Sequence, residues 1–398
     1  MAIDLTSVVA EKELTKPAVS ELPGKASPAP SPGEGRLVSL DTFRGFIMFW
    51  IVGGAAVVVG LAALGPKFLY DAVTYELDHT TWVGLRFYDL IWPSFMLMVG
   101  VSIPLSYAKR SRTQTYPQML GHALTRFAVL FLLGSLRESI HFNQPYWVEL
   151  SSALQPIAVA SLVAFLLVRK SERFQAAVGG LILVAYALIL AFVPAPGVPA
   201  GSLDPGVNLV RYIDIMLLGR TFPVTDAWGT IICTLPTIST TILGMLIGEW
   251  LMSARSKESK MKMIAGAGFL CLAAGYALSP LIPIIMKIWT TSYGLVSMGW
   301  ACLMFLLFYW AIDVRGYRKW TLSFVVIGCN AVFIYMFQSI VPLGRIVGIF
   351  TSGHVAPLVR TAGSVGHRQP HLLHAVIVFG VEWLLLFWMY RRKIFIKA

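Results

Sequence analysis

The sequence predicts an all-α integral membrane protein, a polytopic bundle of about ten transmembrane helices, and three observations carry that prediction. Of 398 residues, 57% are hydrophobic and only 13% are charged, against roughly 25% charged in soluble domains. Mean hydropathy is +0.71, too high for a surface that meets water on every side. Apolar windows of about 20 residues, enough to cross about 30 Å of hydrocarbon at about 1.5 Å per residue, recur along the chain after residue 44.

Residues 1–36 are polar and rich in Ser, Pro, Ala and Glu. Such a segment cannot bury enough apolar area to offset its ordering entropy, so it is expected to be a disordered cytoplasmic tail. It has no cleavable signal pattern, which leaves the first span to direct insertion. Residues 37–398 then form one transmembrane domain. The apolar runs predict helices at 45–65, 84–107, 119–137, 154–169, 175–194, 229–252, 263–283, 293–313, 321–341 and 371–390. The runs are continuous and too long for the alternating ten-residue pattern of a barrel strand.

Charge sets the expected topology. Every second loop is basic: Lys109, Arg110 and Arg112; Arg169, Lys170 and Arg173; Arg255, Lys257, Lys260 and Lys262; Arg315, Arg318 and Lys319. The C-terminus adds Arg391, Arg392 and Lys393, whereas the alternate loops hold single residues such as Lys67, Lys287 and Arg345. Positive-inside reasoning places the basic loops and both termini in the cytoplasm. The net charge of +12 is accounted for by these scattered loops, which argues against a nucleic-acid partner and leaves membrane lipid as the surrounding medium. No internal repeat is evident, which weakens a transporter built from inverted repeats.

Cys233, Cys271, Cys302 and Cys329 fall in apolar runs without metal-like spacing and read as small buried hydrophobes. His354, His367, His371 and His374 lack an accompanying carboxylate or thiolate before Glu382, so they read as a solvated approach to the last helix, and no metal is expected.

The segment from Glu76 to Trp82 is different. His79 stands among Glu76, Asp78 and an aromatic at the mouth of the second span, and Asp89 follows about one to two turns into it. An ionisable group at membrane depth costs on the order of 2.5–3.5 kcal/mol, and a histidine oriented by a carboxylate suits general-base work. The bland alternative makes His79 an interfacial polar residue and Asp89 a first-turn carboxylate favoured by the helix dipole.

At this point the sequence resembles a known family. Arg36-Leu-Val-Ser-Leu-Asp41-Thr-Phe-Arg44-Gly45, His79-Thr-Thr-Trp82-Val-Gly84 and Asp89-Leu-Ile-Trp-Pro93-Ser-Phe95 look like heparan-α-glucosaminide N-acetyltransferase and its bacterial relatives, a branch of the multispan acyltransferases. The likeness continues at Leu154-Gln155-Pro-Ile157, at Asn208-Leu-Val-Arg211-Tyr-Ile-Asp214, and at Leu235-Pro236 ahead of Gly244 and Gly248. It resumes at Lys287-Ile-Trp289-Thr290 and Gly328-Cys-Asn330-Ala331. The stations run in family order from residue 36 to about 336.

The resemblance implies acetyl transfer from cytosolic acetyl-CoA to an amino sugar or sugar-like acceptor on the far side of a bacterial inner membrane. It puts His79 on the family's catalytic histidine, as general base or acyl carrier, with Asp89 preferred over Asp78 as its orienting partner. Arg44 and Asp41 would stand near the CoA phosphates, although an inside-positive anchor and a first-turn acid explain them equally. Gln155 and Asn330 either line the acyl tunnel or bond across helices. Trp82, Asp214, Lys287, Trp289 and Thr290 are implied acceptor-side residues, and a homodimer is implied as well. The chain departs from the pattern at Gly53-Gly54, where the animal enzyme has asparagine nearby, at Asp226-Ala227-Trp228-Gly229, which lacks the family glutamate, and at Pro156, where arginine is common. These departures leave the acceptor open. A transporter or flippase of a sugar or lipid-linked sugar is the rival reading of the same intramembrane polar residues.

Overall fold

The computed structural model describes residues 37–148, 150, 153–218, 229–352 and 372–396. The segment 1–36, Asp226 to Trp228, and His354, His367 and His371 lie outside the described residues. In chain order the helices are α1 Val38–Ala62, α2 Lys67–Glu76, α3 Ile91–Arg110, α4 Tyr116–Phe142, α5 Leu154–Leu167, α6 Glu172–Phe192, α7 Leu209–Leu218, α8 Thr234–Met252, α9 Lys257–Leu278, α10 Thr291–Val314, α11 Leu322–Cys329, α12 Ala331–Ile340, α13 Leu343–Ser352 and α14 Leu372–Arg391.

The described residues hold a helix at each of the ten expected positions, but the ten are not equivalent. Eight are long and apolar enough to cross a membrane: α1, α3, α4, α6, α8, α9, α10 and α14. α11 and α12 form a ninth segment bent by 70°. α5 has only 14 residues, or about 21 Å of rise, which is short of a full crossing. The short helices α2, α7 and α13 lie in the connections, where no full-length apolar run announces them.

Helix ends follow local chemistry. Thr115 and Gln118 make a reciprocal capping box at the start of α4, Ser171 and Ser256 accept first-turn amides at α6 and α9, and Asn143 closes α4 in the left-handed conformation.

Among the described residues α3 and α8 pack along most of their length. A Cβ at Gly100 would sit 2.1 Å from the Thr241 carbonyl oxygen, and one at Gly244 would sit 2.1 Å from that of Leu97. Only hydrogen fits, so these glycines let the two backbones touch, the usual device where lipid offers no hydrophobic drive for helix association. α1 bends at a π-helical turn, Trp50–Gly54, where Gly53 takes φ 100°, a conformation glycine adopts at no steric cost. The Gly53-Gly54 departure therefore has a structural consequence, a kink in the first span next to Met48 and Ile51.

A cluster of buried apolar residues, among them Tyr186, Leu209, Val210, Ile285, Trp289 and Tyr293, gathers at the end of the bundle where α3 and α10 begin. Trp82, Leu85 and Trp92 pack against it, and the amide of Gly84 donates to the carbonyl of Ile284 at 2.9 Å. The loop between α2 and α3 is thereby fastened to the segment ahead of α10. That loop carries His79.

Candidate active site

His79 sits in an irregular stretch between α2 and the 3₁₀ turn Phe87–Leu90 that leads into α3. Arg86 holds this stretch together. Its Nη1 donates to the His79 carbonyl at 3.0 Å and lies 3.6 Å from Asp78 Oδ2, while its guanidinium covers the Tyr75 ring at 4.1 Å. Asp78 Oδ1 also accepts the His79 amide at 2.8 Å. From the other side, Glu76 Oε2 accepts the amide of Phe87 at 2.9 Å.

These restraints bring the imidazole onto Asp89. His79 Nδ1 is 2.8 Å from Asp89 Oδ1. Asp89 Oδ2 accepts from the Thr80 hydroxyl at 3.2 Å and from the Arg86 amide at 3.0 Å. The Asp89 side chain is wholly buried, whereas that of His79 is 37% exposed. An ionised carboxylate can only accept, so Nδ1 carries the proton and Nε2 is the basic nitrogen of the neutral ring. The Asp89 main chain is fixed too: the buried Tyr293 hydroxyl donates to its carbonyl at 2.7 Å. Asp78, whose side chain is 76% exposed, steadies the loop and leaves the ring to Asp89.

His79, Tyr88 and Asp89 line a cavity of about 350 Å³. Most of its wall is apolar or aromatic: Met48 and Ile51 of α1, Trp92 and Phe95 of α3, Leu154 and Ile157 of α5, and Val332 of α12. The Tyr88 ring meets the imidazole edge-on with centroids 4.9 Å apart. α4 contributes Arg137, Glu138 and His141, and α12 contributes Tyr335. Sequence reasoning passed over these polar residues. The only signal for them was an Arg-Glu pair inside an otherwise apolar run.

A second cavity, of about 280 Å³, opens between the other ends of α3, α4 and α5. Tyr107, Arg110, His122, Arg126 and Phe165 line it, and the Tyr116 ring stacks with Phe165 at 6.1 Å. Arg126 lies within electrostatic reach of Arg44 and Arg110, and its Nε is buried without a hydrogen-bond partner. Three guanidiniums therefore converge where a helix seam begins. The two cavities share that seam. Arg126 and Glu138 are twelve residues apart on α4, about 18 Å at about 1.5 Å per residue.

The remaining expected residues fall in other places. Arg44 donates Nε to the Gly328 carbonyl at 2.7 Å and pairs through Nη2 with Asp41 Oδ1 at 2.8 Å, so both tie α1 to α11 beside the basic cavity. Gln155 is fully buried; Oε1 accepts the Leu150 amide at 2.7 Å and Nε2 donates to Ser135 Oγ at 2.9 Å. It thus closes the α4–α5 connection between cavity-lining Leu154 and Ile157. Asn330 sits at the α11–α12 bend and grips the C-terminal segment, donating to the Ile394 carbonyl at 3.1 Å and accepting the Ile396 amide at 2.9 Å.

On the His79 side, Trp82 Nε1 donates to the Leu203 carbonyl at 2.9 Å. Asp214 is buried against the start of the next segment, accepting the Thr230 hydroxyl at 2.7 Å and the Thr230 and Ile231 amides at 3.0 and 3.1 Å. Burial pushes its carboxyl above the ordinary range, while these bonds pull it back. Lys287 is buried in the segment that precedes α10. Trp289 adopts φ 48°, a strained conformation for a bulky residue, and packs edge-on against Trp92 at 4.9 Å. Thr290 caps α10, accepting the Tyr293 amide and donating to the Pro283 carbonyl at 2.8 Å. Of the acceptor-side set, then, none lines the cavity itself; they build the support behind Trp92 and Tyr293, which do.

A histidine clamped by a buried carboxylate, set in the wall of a cavity within an apolar helical bundle, defines the class: a polytopic integral membrane protein with a His–Asp pair inside its fold. The chain belongs to the heparan-alpha-glucosaminide N-acetyltransferase catalytic family, which it matches over residues 36–282. It is 26% identical to the human heparan-alpha-glucosaminide N-acetyltransferase over 91% of this chain and 60% of that protein. With the mouse protein of the same name it shares 22% identity over 99% of this chain and 67% of that one. The chain thus spans about 60% of the length of its human relative.

Proposed function

We propose that the protein is a membrane acetyltransferase that takes the acetyl group of acetyl-CoA from the basic face of the bundle and delivers it to an amine of a sugar-like acceptor at the His79 face. The observation that carries this reading is the 2.8 Å contact between His79 Nδ1 and Asp89 Oδ1 in the cavity wall. The relatives are named as N-acetyltransferases, which supports the reaction class.

His79 Nε2 takes a proton from the acceptor amine as the nitrogen attacks the thioester carbonyl. The C–S bond breaks, and the imidazolium returns the proton to the departing CoA thiolate. Asp89 stabilises that imidazolium and keeps Nε2 basic, as the third member of a catalytic triad does. Proton transfer of this kind contributes about 10²–10⁴ in rate, and bringing both substrates to one cavity contributes further through proximity.

We assign the phosphate end of the donor to the second cavity. Arg110 and Arg126, with Arg44 nearby, offer guanidiniums for phosphates, and the unpartnered Arg126 Nε is a donor awaiting an acceptor. The aromatic pair Tyr116 and Phe165 offers a face for adenine. A pantetheine arm laid along the α3–α4–α5 seam would carry the thioester towards His79. On this reading the basic loops and both termini face the cytoplasm, in keeping with the positive-inside rule.

The test is CoA release by the full chain in lipid nanodiscs, with a panel of amino sugars, for wild type and His79→Ala. Acceptor-dependent release that disappears in a folded variant supports the reading. Release that persists unchanged in the variant removes His79 from the chemistry.

A further inference from the structure

Among the described residues the cavity wall holds two carboxylates, and only one meets the histidine. Asp89 is fully engaged: Oδ1 meets His79, and Oδ2 accepts from Thr80 and the Arg86 amide. Glu138 is different. Its side chain is 4% exposed, its Oε1 takes Nη1 of Arg137, and its Oε2 has no hydrogen-bond partner among the described residues. Arg137 is occupied in turn. It lies over the Tyr335 ring at 4.6 Å, and its Nε is buried without a partner.

An ion pair at this depth is poor evidence of stability, because an apolar pair of the same volume often does as well or better. A charge kept within a membrane bundle is by default a functional group. Formal charge says what kind. With neutral histidines, Asp89 and Glu138 against Arg137 leave the lining one unit negative. The remaining wall is apolar and aromatic, a low-dielectric setting that strengthens the preference for a cation.

Resting on the acetyl-transfer reading, we infer that Glu138, braced by Arg137 over Tyr335, anchors the acceptor: Oε2 takes a hydrogen bond from its ammonium or an adjacent hydroxyl, selecting a cationic amino sugar without a neighbouring carboxylate or sulfate. The acceptor binds as the ammonium, which matches the lining. One proton leaves to solvent by way of His79, whose side chain is 37% exposed, before attack. The neutral ring then takes the second from the attacking amine and returns it to the CoA thiolate. Tyr335 links the two sides of the site, lying within electrostatic reach of Glu138, Arg137 and Tyr88, and Tyr88 touches the His79 ring.

The experiment has a binding arm and a kinetic arm on the full chain in nanodiscs. In the binding arm, calorimetry of wild type without acetyl-CoA compares glucosamine, which then cannot be acetylated, with glucose and with glucuronate. The expected order is glucosamine tightest by about 10–100-fold, the range of one charge-assisted hydrogen bond, with glucuronate weakest. In the kinetic arm, Glu138→Gln raises KM for glucosamine by a similar factor with a smaller change in kcat, Glu138→Asp recovers part of it, and KM for acetyl-CoA is unmoved. Equal binding of the three sugars by wild type, or tighter binding of glucuronate, overturns the inference even if the variants fail to fold. An unchanged glucosamine KM in folded Glu138→Gln overturns it as well. Absence of any CoA release from wild type sinks the acetyl-transfer reading instead, and the calorimetry still decides what Glu138 recognises.

Discussion

The two ends of the α3–α4–α5 seam are built on opposite plans. At the His79 end the groups that hold the ring are fixed in advance: Asp89 has partners on both oxygens and on its carbonyl, and Arg86 straps the loop through three contacts. At the basic end three guanidiniums share a neighbourhood and Arg126 Nε has no partner. A group that must move a proton gains from an orientation set before substrate arrives. A site for a polyanion gains from unmet charge, since the ligand relieves the mutual repulsion. On the acetyl-transfer reading, the difference teaches that burial plus satisfaction suits the chemistry and burial plus frustration suits the docking.

Substitutions can break this contrast, and the largest effect falls at the satisfied end. His79→Ala should lower kcat by about 10²–10⁴, the usual range for a general base, measured as acceptor-dependent CoA release. Asp89→Asn should cost nearly as much, about 10²–10³. Its amide nitrogen can donate to Nδ1, which moves the imidazole proton to Nε2 and leaves no basic nitrogen facing the acceptor. Neither substitution should alter binding of CoA. A variant that loses CoA affinity along with turnover would join the two ends and refute the contrast.

At the frustrated end the parameters should separate the other way. Arg126→Ala is expected to raise KM for acetyl-CoA about 10–100-fold, as loss of a charge-assisted phosphate contact does, with a smaller change in kcat. Dephospho-CoA or acetyl-pantetheine as donor should be much less sensitive to the same substitution. Because relieving repulsion among Arg44, Arg110 and Arg126 offsets part of the lost contact, thermal stability without donor should hold or rise in the variant. A large loss of stability instead would make Arg126 a structural residue.

How much of this was readable beforehand depends on the kind of signal. The helices were legible because about 20 consecutive apolar residues have few other uses, and the Glu76–Asp89 stretch stood out because charges at membrane depth are costly, with the family resemblance, more than composition, pointing to His79 and Asp89. The 70° bend between α11 and α12 was not, since Asn330 looks like any polar residue in a span until its bonds to the C-terminal segment appear. Gln155 was open between tunnel lining and a bond across helices, and Asp214 entered through the family resemblance; composition alone does not tell a backbone brace from a ligand contact, and the partners seen here are protein groups. Arg137 and Glu138 were missed for the converse reason. Adjacent opposite charges near a helix end look like a solvated pair, and only the packing of α4 against α5 and α12 turns them into the cavity.

The smallest expected effect is also the sharpest test of how the satisfied end is made. In the turn that leads into α3 the carbonyl of Asp89 would, in α-helical continuation, accept the amide four residues on, but that residue is Pro93, which has no N–H. The Tyr293 hydroxyl supplies the missing donor at 2.7 Å, so α10 completes the first turn of α3 at the residue that holds the histidine. Tyr293→Phe removes that donor from a buried carbonyl and should cost about 1–3 kcal/mol of stability, with kcat falling less than about tenfold. Pro93→Ala restores an amide at the right position, so the double variant should recover most of the loss and the two effects should not add. Additive effects, measured as unfolding free energies in the same detergent, would mean that Tyr293 acts through packing against Trp289 and not through the carbonyl of Asp89.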